Sequence, residues 1–377
     1  MQLTRLALER FRLVESAECA LQAGANLFTG RNAQGKTTVL EAAQYLSSGR
    51  SFRTPRDREV LPHNAANPPA ELFSACEGSY RDAYAGHDVR VAISGAGKTV
   101  WVDGKALRKL TELWGRLNTV CFLPGDLDLV RGAPSVRRGF LDSLLARTRP
   151  DVLQAIGAYA TALRNRNALL RRARDVPHDE APAYEEQMAQ YGARVIVARE
   201  ELTRGLGPLV QEQMEGLARG GEQIGLRHEA GLGRHGAAPE EEAGALATRL
   251  RELWSRGRRE DFLRGATQHG PHRAELRVTL NGQDARAYAS QGQARAAALS
   301  FRLAEALWIE RTTGQVPVLL LDDVLGELDR QRSEYFVRLL SRPGVQSLLT
   351  ATDMPDFGSQ LPIAARFHVE AGRVRPA

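Results

Sequence analysis

The 377-residue chain is 43% hydrophobic and 25% charged, a balance that excludes long disorder and predicts more than one compact lobe. No apolar run reaches the roughly 20 residues of a membrane helix, and Met1-Gln2-Leu3-Thr4-Arg5-Leu6 lacks the features of a secretory signal, so no membrane partner is expected. A formal charge of +6, almost all of it arginine beside four lysines (Lys36, Lys98, Lys105, Lys109), favours a polyanionic partner whose phosphates shed counterions on binding. Cys19, Cys76 and Cys121 are scattered and free of C-x-x-C spacing, which disfavours disulfides or zinc and fits a reducing cytoplasm.

In chain order, Leu3, Leu6, Leu8, Phe11 and Leu13 alternate with polar residues as in a half-buried sheet. Residues 26–29 form a short buried strand entering a glycine-bearing loop, and a helix over 37–46 follows, ended by Gly49. After a Pro/Asn-rich loop (62–69), the pattern predicts a hairpin of 89–93 and 100–102 turning at Gly95-Ala96-Gly97, then a strand at 120–123 closed by Pro124-Gly125-Asp126. From Gly132 to about Phe262 strand patterns vanish. Leu153, Ile156, Tyr159 and Leu163, then Ile196, Val197 and Leu202, keep helical spacing, with breaks at 176–178, 205–208 and 231–239. Strand texture resumes at 276–280, 318–321 and 345–349. The expectation is an α/β unit split in sequence, residues 1–125 and 263–377, around an inserted, mostly helical arm at 126–262.

Gly30-Arg31-Asn32-Ala33-Gln34-Gly35-Lys36-Thr37 matches the phosphate-loop pattern G-x-x-x-x-G-K-[ST] between a strand and a helix. Glycines let successive N–H groups turn inward around phosphates, and the helix N-terminus adds a favourable dipole. Residues Gly30 to Gly35, with Lys36, Thr37 and Thr38, are therefore the expected ATP-binding set. Lys36 reaches the β- and γ-phosphates and the Thr37 hydroxyl ligates Mg²⁺. A chance glycine-rich turn is the competing reading, and the strand–loop–helix context weighs against it. Gly95-Ala96-Gly97-Lys98-Thr99 also ends in G-K-T, but Ala92 stands where the first glycine belongs and a strand follows, so it reads as a hairpin turn.

Val318-Leu319-Leu320-Leu321-Asp322-Asp323 reads as a central strand buried on both faces, ending where open α/β sheets place ligands. Asp322 suits the Mg²⁺ shell beside Thr37, and Asp323 suits orienting or deprotonating water, making Asp323 and Lys36 the expected catalytic pair. With Glu327-Leu328-Asp329, the D-D-x-x-x-E-L-D run resembles ATP-binding-cassette and SMC-type heads. Ser290-Gln291-Gly292-Gln293 resembles the S-G-G-Q signature of that superfamily, with Gln291 in place of the first glycine; alone, it is equally an ordinary N-cap. The resemblance implies that Ser290, Gln291, Gly292 and Gln293 of one subunit meet the γ-phosphate of ATP held by the other.

Phe11-Arg12 is shared with SMC and Rad-type heads, whereas residues 49–53 (Gly-Arg-Ser-Phe-Arg), 134–142 and 270–276 are more particular to the RecF family, which the chain resembles along its whole length. That resemblance implies an ATP-dependent homodimer acting in replication, recombinational repair and the SOS response. The partners it implies are double- and single-stranded DNA, gapped junctions, and RecR and RecO. Three departures from transporter cassettes point to slow hydrolysis used for switching. Asp323 replaces Glu, Thr352 stands where a switch histidine falls, and 120–126 lacks a loop glutamine. A transporter ATPase subunit or a short SMC-like structural protein are the alternatives. The first usually carries that histidine, and the second needs a longer coiled coil than the broken helices allow.

Three arginine groups are candidate phosphate contacts, each weighed against a solvated helix face: Arg164, Arg166, Arg171, Arg172 and Arg174; Arg256, Arg258 and Arg259; Arg50, Arg53, Arg56 and Arg58. Few aromatics interleave with them, which favours duplex or junctions over a stacking platform. His272 is either a site residue or a buried, hydrogen-bonded histidine.

Overall fold

The computed structural model describes residues 1–62, 73–218, 221–233, 242–352 and 361–377. Most of the expected 62–69 loop, most of the 231–239 break, and Asp353 lie outside them. Internal contacts divide the chain into two units, one of 1–126, 216–218 and 302–377, the other of 127–215 and 219–301. The second unit ends at Phe301, beyond the change of texture near Phe262.

The first unit opens with β1 (Gln2–Phe11), β2 (Val14–Ala20) and β3 (Ala25–Thr29), followed by α1 (Lys36–Ser48). Next come β4 (Phe73–Arg81), β5 (Gly86–Ser94), β6 (Gly97–Val102), β7 (Lys105–Ala106) and β8 (Thr119–Phe122). The expected hairpin is β5–β6, antiparallel with Ser94 opposite Gly97. Its Lys98 does not face a nucleotide loop. Lys98 Nζ donates to the Gly49 carbonyl (2.6 Å) and pairs with Asp57 (2.9 Å), placing a cation at the negative end of α1. Gly49 ends that helix in the left-handed region (φ 63°), as expected of a C-terminal glycine.

The second unit contains α2 (Asp128–Arg131), α3 (Pro134–Thr148), α4 (Pro150–Arg172), α5 (Ala181–Leu217, whose last two residues belong to the first unit), β9 (Ile224–Glu229), α6 (Ala243–Arg264), β10 (Glu275–Leu280), β11 (Gln283–Asp284), α7 (Ala285–Tyr288) and the start of α8 (Gln291–Thr313). Two expectations fail here. The break expected at 205–208 is absent, since α5 runs through it with Pro208 inside. Pro208 is exposed, so the backbone bond it removes faces water, while Leu202, Leu206, Leu209 and Val210 keep the buried face continuous. Nor do strands vanish: β9 pairs antiparallel with β10 from Ile224↔Leu280 to Glu229↔Glu275. Its polar residues hid it, because its stabilisation comes from cross-strand pairing such as Arg277–Glu229 (2.6 Å).

Segments 134–142 and 270–276 are joined in this unit. Arg137 pairs bidentately with Glu275 (2.8 and 2.9 Å), Arg138 donates to Ala274 O, and Arg199 bridges Asp142 and the Pro271 carbonyl.

The chain returns to the first unit with the remainder of α8, then β12 (Val318–Asp322), α9 (Arg330–Leu340), β13 (Ser347–Ala351), β14 (Ile363–Glu370) and β15 (Arg373–Pro376). One sheet runs β2-β1-β4-β5-β6-β7, antiparallel throughout. The other runs β15-β14-β3-β13-β12-β8, parallel except for β14–β15. All five residues of β12 are buried, as a central parallel strand requires. Phe11 meets Tyr45 edge-on at 5.6 Å, fixing α1 to the first sheet within one continuous core.

Candidate functional site

The parallel order puts β13 between β3 and β12, so the loop after β3 and the acidic end of β12 face one another across it. Gly30 has φ +155°, and a Cβ there would lie 2.1 Å from Val369 O. Ala33 (φ 63°) and Gly35 (φ 111°) also turn left-handed, curling the loop over the start of α1. Lys36 is buried, its ammonium donating to Gly30 O (2.6 Å) and Arg31 O (3.2 Å). The loop thus wraps the Lys36 ammonium, with Arg31, Asn32 and Ala33 exposed at the rim.

The Thr37 hydroxyl donates to Asp322, 2.8 and 3.0 Å from its two carboxylate oxygens. Thr350, opposite Asp322 in the β12–β13 register, donates its hydroxyl to Asp322 Oδ1 (2.9 Å) and accepts from Asp323 N–H (2.9 Å). One buried hydroxyl therefore holds both acidic residues. Sequence reasoning passed over Thr350; its signal is its position across the strand from Asp322. Asp323 is left-handed (φ 52°), uncommon outside glycine. Burial pushes the Asp322 carboxyl above its ordinary value, opposed by the Thr37 and Thr350 hydrogen bonds, with Asp323 adding to the rise and Arg53 opposing it. A carboxylate so desolvated is predisposed to a cation.

Around this core, Glu41 is fully buried and takes both Arg12 Nε (2.5 Å) and Nη2 (2.7 Å), plus the Ser51 hydroxyl. Phe11-Arg12 and the 49–53 segment thus converge on α1. Thr352 donates to Asn32 Oδ1 (3.3 Å), linking the end of β13 to the phosphate-loop rim.

Ser290 to Gln293 lie in the second unit and form a capping box. Gln293 N–H donates to Ser290 Oγ (3.2 Å) and Ser290 N–H to Gln293 Oε1 (3.0 Å), starting α8 with Ser290, Gln291 and Gly292 exposed. Asp329 caps α9 through Arg332 N–H (3.1 Å).

Two candidate phosphate-binding arginines are corrected. Arg166 has no exposed surface and pairs with Asp261 (2.7 Å) and Glu185 (2.9 Å); Arg258, also buried, pairs with Glu185 (2.6 Å). Both guanidinium groups are held by buried carboxylates that offset their charge, which leaves little of it to offer a phosphate. Arg164, Arg171, Arg172, Arg174, Arg256 and Arg259 are exposed, as are Arg50, Arg53, Arg56 and Arg58. His272 is a packing residue: Nε2 donates to Thr267 O (2.9 Å) and Nδ1 accepts from the Tyr159 hydroxyl (2.6 Å).

Residues 5–103 match a family model described as an AAA domain. Over 354 residues, 94% of this chain and 91% of the relative, the sequence is 36% identical to the DNA replication and repair protein RecF of Myxococcus xanthus. The chain belongs to the RecF family. Identity to the RecF of Symbiobacterium thermophilum is 37% over 377 residues, 99% and 98% of the two chains. The recombination mediator protein RecF solved with ATP, in the RecFOR pathway, superposes with a TM-score of 0.89 at 29% identity, covering 100% of this chain and 97% of that one. An SMC head bound to the C-winged helix domain of ScpA superposes at 0.53 with 14% identity, 100% and 97% covered, which shows the shared head fold alone. RecF proteins act in DNA replication and repair, and the α/β fold here is that of RecF and SMC ATPase heads. Among the described residues no helix is long and apolar enough to cross a membrane.

Proposed function

We propose that the chain is an ATP-dependent DNA-binding protein of recombinational repair, in which ATP closes a homodimer and slow hydrolysis reopens it. The observation that carries this reading is the meeting of the wrapped Lys36, Thr37 and Asp322 at the carboxyl ends of β3 and β12. The residues fit a magnesium triphosphate. Gly30 to Thr38 supply inward-turned backbone and one buried cation, while Thr37 and Asp322 supply hard oxygens already in contact. Magnesium commonly takes one or two carboxylates and leaves its other positions to phosphates and water. Held by Thr37 and Asp322, it would offset the phosphates' negative charge. Lys36 then exchanges its loop carbonyls for phosphate oxygens. Asp323, held at its N–H by Thr350, orients or deprotonates the attacking water.

The exposed Ser290-Gln291-Gly292 at the N-terminus of α8 supports a second half-site, offered to the triphosphate of a partner copy. Asp323 in place of Glu, and Thr352 in place of a histidine base, support slow turnover. The exposed arginines support sequence-independent phosphate contacts to double- and single-stranded DNA and gapped junctions. Family membership supports RecR and RecO as partners, recombinase loading, a part in the SOS response and a cytoplasmic site of action.

The test is ATP turnover by wild type and Lys36→Ala, with and without gapped DNA. Slow hydrolysis that DNA stimulates, lost in Lys36→Ala, is the expected result. Turnover at the rate of a motor ATPase would contradict the switch.

A further inference from the structure

Gln34 lies inside the phosphate loop, yet its polar groups face the protein. Its Oε1 accepts from Ala371 N–H (2.7 Å), its main-chain carbonyl from Gly372 N–H (3.0 Å), and its Nε2 points to Asn32 O at 3.5 Å. Ala371 and Gly372 are the turn of the β14–β15 hairpin, with Glu370 opposite Arg373. Both are left-handed (φ 47° and 75°), the geometry of a two-residue hairpin turn matched to strand twist. Such a turn leaves the two central N–H groups pointing outward, and here both end on Gln34.

Steric contact repeats the connection. A Cβ on Gly30 would lie 2.1 Å from Val369 O, and one on Gly372 would lie 2.1 Å from Leu13 O at the β1–β2 turn. A Cβ on Gly35 would have Val369 Cγ1 and Gly372 Cα 3.8 Å away. Below the turn, Phe367 stacks on Phe28 at 4.8 Å and accepts from the Thr29 hydroxyl (3.3 Å). The hairpin is thus fixed to β3 along its length and ends on the loop that β3 feeds.

We propose that the β14–β15 hairpin is a clamp that sets the shape of the phosphate loop, and that the Gln34 side chain is its positioning group and does not itself contact the nucleotide. The proposal rests on the loop being a triphosphate cradle. Two hydrogen bonds and the close approach of Gly30 to Val369 O hold the loop from outside, while Gly372 packs the turn against Leu13 O, so the loop's backbone N–H groups are oriented before ligand arrives. That lowers the ordering cost of binding. A loosened clamp weakens ground state and transition state alike, so the loss falls on KM and not on kcat.

The test uses the full chain and Mg-ATP, measured by calorimetry and steady-state hydrolysis. Gln34→Met keeps the reach and removes the acceptor. Gly372→Ala displaces the turn without touching the cradle, and Lys36→Ala is the control for nucleotide binding itself. Each clamp variant is expected to weaken ATP binding about fivefold to tenfold, with a matching rise in KM. The double variant is expected to be no weaker than the poorer single, because both break one connection. Should one variant fail to fold, the other decides. Wild-type affinity in the folded clamp variants, with Lys36→Ala dead, overturns the clamp and leaves the cradle intact. Multiplicative losses in the double variant also overturn it. Absence of ATP binding in the wild type overturns the cradle, and the clamp with it.

Discussion

Thr37 and Asp322 stand 285 positions apart in sequence, yet the hydroxyl of one lies 2.8 and 3.0 Å from the two carboxylate oxygens of the other. Helix α1 brings the first and strand β12 the second, with β13 between their strands supplying Thr350 to the same carboxylate. The contact depends on the parallel sheet being assembled correctly from both ends of the chain.

Thr350→Val tests the hydroxyl that organises the acidic pair. The shape is kept while the bonds to Asp322 Oδ1 and Asp323 N are lost. A stability loss of about 1–2 kcal/mol is expected, with hydrolysis down about tenfold or more from misplaced carboxylates. Chemical denaturation and single-turnover hydrolysis report the two effects. Wild-type hydrolysis in a folded variant removes Thr350 from the site.

Asp323→Asn separates switching from scaffolding. The account expects ATP binding and dimer formation to persist while hydrolysis drops. Complementation of repair in cells then decides between the two: survival of repair without hydrolysis favours an ATP-gated scaffold.

Arg166→Met addresses a residue whose charge looked available from sequence. Asp261 loses its buried ion-pair partner while Glu185 keeps Arg258, so destabilisation of about 3 kcal/mol is expected, chiefly from the uncompensated Asp261 carboxylate. Where the variant is still folded, the salt dependence of DNA binding is expected to match wild type. A reduced slope would return Arg166 to the DNA surface.

His272 carries a pH dependence of stability. Burial, the largest cause, pushes its pKa down from 6.5 to about 4, against the bond to Thr267 O and with Arg273, Arg138 and Arg166 adding to the fall. Below pH 6.5 the unfolded chain takes up a proton that the folded one refuses. Stability therefore declines as pH falls from 6.5 toward 4 and is unaffected by this group above 6.5. The full span is at most about 3 kcal/mol. Denaturation midpoints across this window, compared with His272→Gln, are expected to show a shallower slope in the variant; equal slopes would reject the assignment.

The phosphate loop, the acidic strand and the capping-box start of α8 were legible because each is local: a few adjacent residues carry the whole pattern. The Lys98 turn was legible for the same reason. What escaped is set by partners distant in sequence. Thr350 acquires its place from strand register, Gln34 from a hairpin near the C-terminus, and β9 from pairing with β10. Pro208 misled because its exposed face lets α5 continue, and Arg166 because helical spacing alone does not reveal which face is buried.

The central claim is that one copy's Lys36 loop and another's Ser290 loop grip the same triphosphate. Analytical ultracentrifugation of wild type and Ser290→Arg, each with and without Mg-ATP, tests it most directly. The account predicts dimers for wild type with ATP alone, and monomers in the other three conditions. A wild type that stays monomeric at saturating ATP, or a Ser290→Arg variant that dimerises as readily, would contradict it.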